Sequence, residues 1–167
     1  MAQIATFYLL SIENLESLQN IKDPAFARNK KWLGLHKKTA GLLVKKLDQV
    51  AIETVKWQWS GLAFVVLSVF SKEKLEVDWY RLEHGALSAS LSEKWATGVY
   101  IFSAKDEEMQ KLKPNGFYYS MEEIDEFALQ LEGTKPANPE IMKNAVELMD
   151  VFLSKLTDDR AALLVIN

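Results

Sequence analysis

The sequence predicts a single α+β domain over residues 1–167: a small mixed sheet of about four strands, the N- and C-terminal strands central, with several helices packed on it. A three-layer α/β arrangement is the alternative. Three observations lead there. Residues 2–10 and 161–166 are apolar on both alternating faces, as strands covered from both sides would be, and pairing them would bring the termini together. Between them, stretches of helical periodicity alternate with short apolar or alternating runs. No internal repeat, low-complexity tract or long linker divides the chain.

After the first strand, Ser11 is placed to cap a short helix through about Asn20, and Asp23-Pro24 breaks the chain. A longer helix follows from about Asn29 to Gln49. Trp32, Leu33, His36, Ala40, Leu43, Val44 and Leu47 share one of its faces, opposite Lys30, Lys31, Lys37, Lys38 and Lys45. Residues 50–59 change to a period of two, with Val55, Trp57 and Trp59 alternating against Thr54, Lys56 and Gln58, a half-buried strand. The apolar run from Leu62 to Phe70 reads either as a strand returning across Ser60-Gly61 or as a helix capped by Ser60. Its polar tail Lys72-Glu73-Lys74 favours the helix, although periodicity alone leaves both open.

Residues 77–85 look irregular. A helix is expected over 87–96, a buried strand over 99–102, and a helical turn or two over 106–112 stopped by Pro114-Asn115-Gly116. Ser120 with Glu123 forms a capping box for a helix that Gly133 closes, with Met121, Ile124, Phe127, Ala128 and Leu131 facing inward and Glu122, Glu123, Asp125 and Glu126 facing solvent. Asn138-Pro139 opens the last helix, whose Ile141, Ala145, Leu148, Met149, Phe152 and Leu156 recur at core-facing spacing before the final strand.

Composition narrows the chemistry. With 167 residues and 49% hydrophobic content the chain can bury a core unaided, and its lack of cysteine removes disulfides, thiolate metal sites and cysteine nucleophiles. The opening residues carry no basic n-region, and the run from Leu62 to Phe70 is less than half of the roughly 20 residues a membrane helix needs. The expected location is the cytoplasm. Net charge is −3, divided into nine basic against five acidic residues over 1–60 and eleven against eighteen over 61–167. That acidic balance disfavours nucleic-acid binding, which would have to use the lysine face and would depend steeply on salt.

No phosphate-loop, dinucleotide, nucleophile-elbow or zinc-protease motif is present, and no cofactor or metal ion is expected. His36 is expected in the core of its helix. His84 follows Glu83 in the irregular segment with Trp79 and Tyr80 close by, and these four residues are the candidate ligand or interface group. The basic face of Lys30, Lys31, Lys37, Lys38 and Lys45 is the second candidate surface, its plainer reading being a solvated face. Trp57 and Trp59 are expected to form a core wall under a helix.

The opening Met1-Ala-Gln-Ile-Ala-Thr-Phe-Tyr8, the overall length and the closing Arg160-Ala-Ala-Leu-Leu-Val-Ile-Asn167 resemble the YfbM-like family of small uncharacterised bacterial proteins. The resemblance lies at the two chain ends. It implies an α+β domain and assigns no site residue. Three functions therefore stand: a non-enzymatic protein-interaction domain of the inhibitor or immunity type, a small-molecule or enzymatic domain with a pocket near Trp79, Tyr80, Glu83 and His84, and RNA binding through the lysines.

Overall fold

The structure is a computed structural model that describes residues 4–20, 36–112, 119–132 and 139–167. Among these are four strands, β1 (Ile4–Ser11), β2 (Glu53–Ser60), β3 (Gly98–Ser103) and β4 (Arg160–Ile166). Six α-helices accompany them: α1 (Ile12–Ser17), α2 (His36–Val50), α3 (Leu62–Lys74), α4 (Gly85–Trp95), α5 (Met121–Glu132) and α6 (Pro139–Leu153). The sheet has the order β2-β1-β4-β3, so the two terminal strands are central, and Ile4 and Asn167 exchange backbone hydrogen bonds of 2.9 and 2.8 Å.

Every pairing is antiparallel, where a mixed sheet was expected. Apolarity on both faces of a strand reports that both faces are covered, and carries no information about strand direction. On one face Ala5, Phe7, Leu9, Tyr100, Phe102, Ala162, Leu164 and Ile166 pack with residues of α3, α5 and α6. On the other, Tyr8, Leu10, Val99, Ile101, Ala161, Leu163 and Val165 pack with residues of α1, α2 and α4. The α+β domain is thus layered as helices, sheet, helices. Phe7 anchors the first face, with its ring 5.1 Å from Phe64 and 4.8 Å from Phe152.

Local chemistry sets the helix ends. Ser11 Oγ accepts from the Asn14 N–H at 3.2 Å and starts α1. The run from Leu62 is helical, and Ser60 Oγ accepts from the Leu62 N–H at 3.3 Å. At α5 the Ser120 hydroxyl accepts from the Glu123 N–H at 3.3 Å while the Glu123 carboxylate accepts from the Ser120 N–H at 2.6 Å, a complete capping box. Replacing Ser120 by alanine is therefore expected to lower stability by about 1 kcal/mol, read as a lower urea midpoint. An unchanged midpoint would show that the box contributes nothing.

Three packing expectations are corrected. Leu131 lies on the exposed side of α5, whereas Ile124, Phe127 and Ala128 are buried. Asp125 turns partly inward instead. Its Oδ1 is buried without a partner among the described residues, and burial raises its pKa. Trp57 is buried against Phe64, but Trp59 is 41% exposed. The register breaks there: Ile4 faces Ser60 and Thr6 faces Lys56, so one residue of β1 stands opposite three of β2. Trp59 lies within this bulge, with its ring 4.8 Å from Trp57. The expectation of a buried His36 concerns a side chain outside the described ones, and the caps at Gly133 and Asn138 lie outside the described residues.

Candidate functional site

The segment from Val77 to His84 connects α3, on one face of the sheet, to α4, on the other, and therefore has to pass the outer edge of β3. Its shape follows from short-range bonds. Asp78 Oδ1 accepts from the Tyr80 N–H at 3.0 Å, the Asp78 carbonyl from the Arg81 N–H at 2.8 Å, and the Leu82 carbonyl from the Gly85 N–H at 2.7 Å. Burial alone would raise the Asp78 pKa. The Lys72 ammonium at 3.1 Å, the Tyr80 N–H and the nearby Arg81 outweigh it and hold the carboxyl below its ordinary value.

The four candidate residues separate. Trp79 is 2% exposed, with its ring edge-on to Tyr100 at 5.1 Å and Phe102 at 5.2 Å, so it packs in the core of the sheet face, and its indole N–H has no partner among the described residues. Tyr80 remains exposed, its ring tilted over Tyr100 at 4.9 Å and its hydroxyl 3.4 Å from Ser92 Oγ. Burial, followed by the Tyr80 hydroxyl, pushes the Tyr100 pKa up to about 12. Glu83 and His84 do converge despite being neighbours in sequence. The backbone at His84 lies at φ −99°, ψ 20°, and His84 Nε2 comes within 3.7 Å of Glu83 Oε2.

Two residues that sequence reasoning passed over complete this group. The buried Ser103 hydroxyl donates to Glu83 Oε2, and Asp106 Oδ1 accepts from the Glu83 N–H at 2.6 Å. Asp106 Oδ2 also lies 3.4 Å from the Ser103 N–H and 3.3 Å from its hydroxyl. The bonds place a carboxylate, not the imidazole, on the serine hydroxyl, and they tie the loop to the end of β3. A serine–histidine nucleophile needs the opposite arrangement, with the ring nitrogen taking the hydroxyl proton. Among the described residues no three His, Asp or Glu side chains are grouped to hold a metal ion.

Beside this loop an open cleft of about 430 Å³ is lined by Lys72, Glu76, Val77, Asp78, Arg81, Leu82 and Glu108. It flanks the candidate segment, yet its wall is made by Asp78, Arg81 and Leu82 rather than by Trp79, Tyr80, Glu83 or His84.

The two edges of the sheet differ. At β3 the outward backbone groups are taken up by α4: Ser88 Oγ accepts from the Ile101 N–H at 3.1 Å, and Ser92 Oγ accepts from the Val99 N–H at 2.9 Å and donates to the Val99 carbonyl at 3.2 Å. The i, i+4 spacing of two serines on the inner face of a helix was the available sequence signal. At β2 the described residues supply no such seal. Its exposed side chains include Thr54, Lys56, Gln58 and Trp59, and Glu53 is bound bidentately by Lys155 at 2.7 Å.

Of the lysine face, Lys45 is exposed on α2, as is its neighbour Lys46. The Lys37 and Lys38 side chains are outside the described ones, and Lys30 and Lys31 lie outside the described residues altogether. Among the described residues no helix is long and apolar enough to cross a membrane. Compared with known proteins, the chain matches no protein-family model, no curated protein and no solved structure.

Proposed function

We propose that this domain acts by binding another protein and performs no turnover of its own, as an inhibitor or immunity-type partner in the bacterial cytoplasm. What carries the reading is the use to which the reactive groups are put. Glu83, Ser103 and Asp106 bond one another and two backbone N–H groups, so these bonds pin the Val77–His84 loop, and His84 lies against the same Glu83 oxygen. A catalytic group needs a polar atom turned towards a substrate. The resemblance of the chain ends to the YfbM-like family adds no site residue to this reading.

The open cleft at Lys72, Glu76 and Arg81 favours a second reading, a small-molecule site, with Glu83 and His84 following Leu82 of its wall in the chain. One experiment separates the two. A broad hydrolase and transferase screen of the intact chain is expected to find no turnover above a protein blank. If turnover is found, and His84→Ala or Glu83→Gln abolishes it while the unfolding midpoint stays at the wild-type value, the binding-only reading is wrong.

A further inference from the structure

We propose that β2 is a docking edge, where an extended acidic segment of a partner protein adds as a fifth strand and seats an apolar side chain against Trp59. This rests on the protein-binding reading and says where, and to what chemistry, the domain binds. The first argument is the contrast between the edges. Both end the same sheet, and an unsealed edge is a template for another strand. At β3, Ser88 and Ser92 occupy that template. At β2 no described residue does.

Register identifies the usable part. Glu53, Thr54, Val55 and Lys56 face Leu9, Tyr8, Phe7 and Thr6 in unbroken order, and the irregularity is confined to the residues beyond Lys56. A regular stretch is what an added strand can copy, and the bulge that follows presents Trp59 at its end. That ring packs on a buried neighbour. It stands 4.8 Å edge-on to Trp57, whose indole N–H donates to the Ser60 carbonyl at 3.1 Å. Ile52 at the start of the strand and Leu62 just beyond its end are also exposed. An exposed tryptophan packed on a buried neighbour suits an interface anchor.

Charge selects the occupant. Lys56 on the strand is exposed and forms no ion pair with any described residue, whereas the acid of the strand, Glu53, is neutralised by Lys155. A second copy aligned antiparallel about Lys56 would bring one Lys56 against the other, and a register that set Lys56 opposite Glu53 would compete with the Lys155 bridge. An acidic strand meets Lys56 with opposite sign.

The test is a displayed library of random linear peptides panned against the intact chain, with the enriched peptides then titrated. The expected peptides alternate acidic with apolar residues, and their binding protects the amides of residues 53–59 from hydrogen exchange. Binding is expected to fall about tenfold in Lys56→Glu and at least as much in Trp59→Ala. Both positions are exposed, and unfolding midpoints near wild type will show that both variants fold. The proposal is overturned if nothing is enriched, if the enriched peptides lack acidic bias, if protection falls on Val77–Gly85, or if Lys56→Glu leaves affinity unchanged. It is equally overturned if Trp59→Ala breaks a dimer of the free chain, which would put a second copy on the edge. Failure of this kind leaves the binding-only reading intact, since that reading falls to turnover.

Discussion

Gly85→Ala is expected to destabilise the domain by about 3 kcal/mol, a large effect for one methyl group. A Cβ built at Gly85 would lie 2.1 Å from the Tyr80 carbonyl oxygen and 2.4 Å from its carbon. Those are backbone atoms, so no rotamer change can relieve the overlap. Either α4 must shift at its first residue or the turn from Tyr80 to Gly85 must open. Opening the turn costs the Leu82 to Gly85 hydrogen bond, the Tyr80 ring's contact with Tyr100, and the alignment that lets Asp106 hold the Glu83 N–H. Urea unfolding measures the cost. The slope should stay near wild type if the loss is confined to this loop, and a midpoint equal to wild type would show that the turn yields without penalty.

Much of the fold was legible because it rests on local signals. Ser11, the Ser120–Glu123 pair and the polar tail after Phe70 each act within a few residues, and the two-sided apolarity of the end strands implied their central place. The failures share a different character. Trp79 sits in a segment with no periodicity, so nothing in the sequence said that its ring would be buried on Tyr100 and Phe102. Trp59 obeys the alternation of its strand, yet it is exposed within a bulge that alternation cannot show. Strand direction was misjudged because burial on both faces is common to parallel sheets and to any sheet between two helical layers. The candidate site was half visible. Glu83 and His84 stood out as neighbours, whereas Ser103 and Asp106 join them from across the loop through contacts that only the fold creates.

The serine seal on β3 gives the other large effect. Ser88→Ala together with Ser92→Ala is expected to cost about 3 kcal/mol, because each removal leaves a strand N–H without its acceptor at about 1–3 kcal/mol apiece. The two shares should differ. Ser88 is fully buried, so water cannot replace its hydroxyl at the Ile101 N–H. Ser92 lies nearer solvent, which can take over part of its exchange with Val99. Ser88→Ala alone should therefore account for the greater part, and Ser88→Thr, which keeps the hydroxyl, should recover some of it if the added methyl fits. Hydrogen exchange gives the decisive readout. The amides of Val99 and Ile101 should lose protection in the double variant while those of β1 and β4 keep theirs, since the central strands pair on both sides. Unsealing β3 also exposes strand N–H groups at that edge, so the double variant should associate more readily as concentration rises, which light scattering detects. Were protection at Val99 and Ile101 to persist with an unchanged midpoint, the hydroxyls of α4 would be neighbours of the edge without closing it, and the contrast with β2 would lose its physical basis.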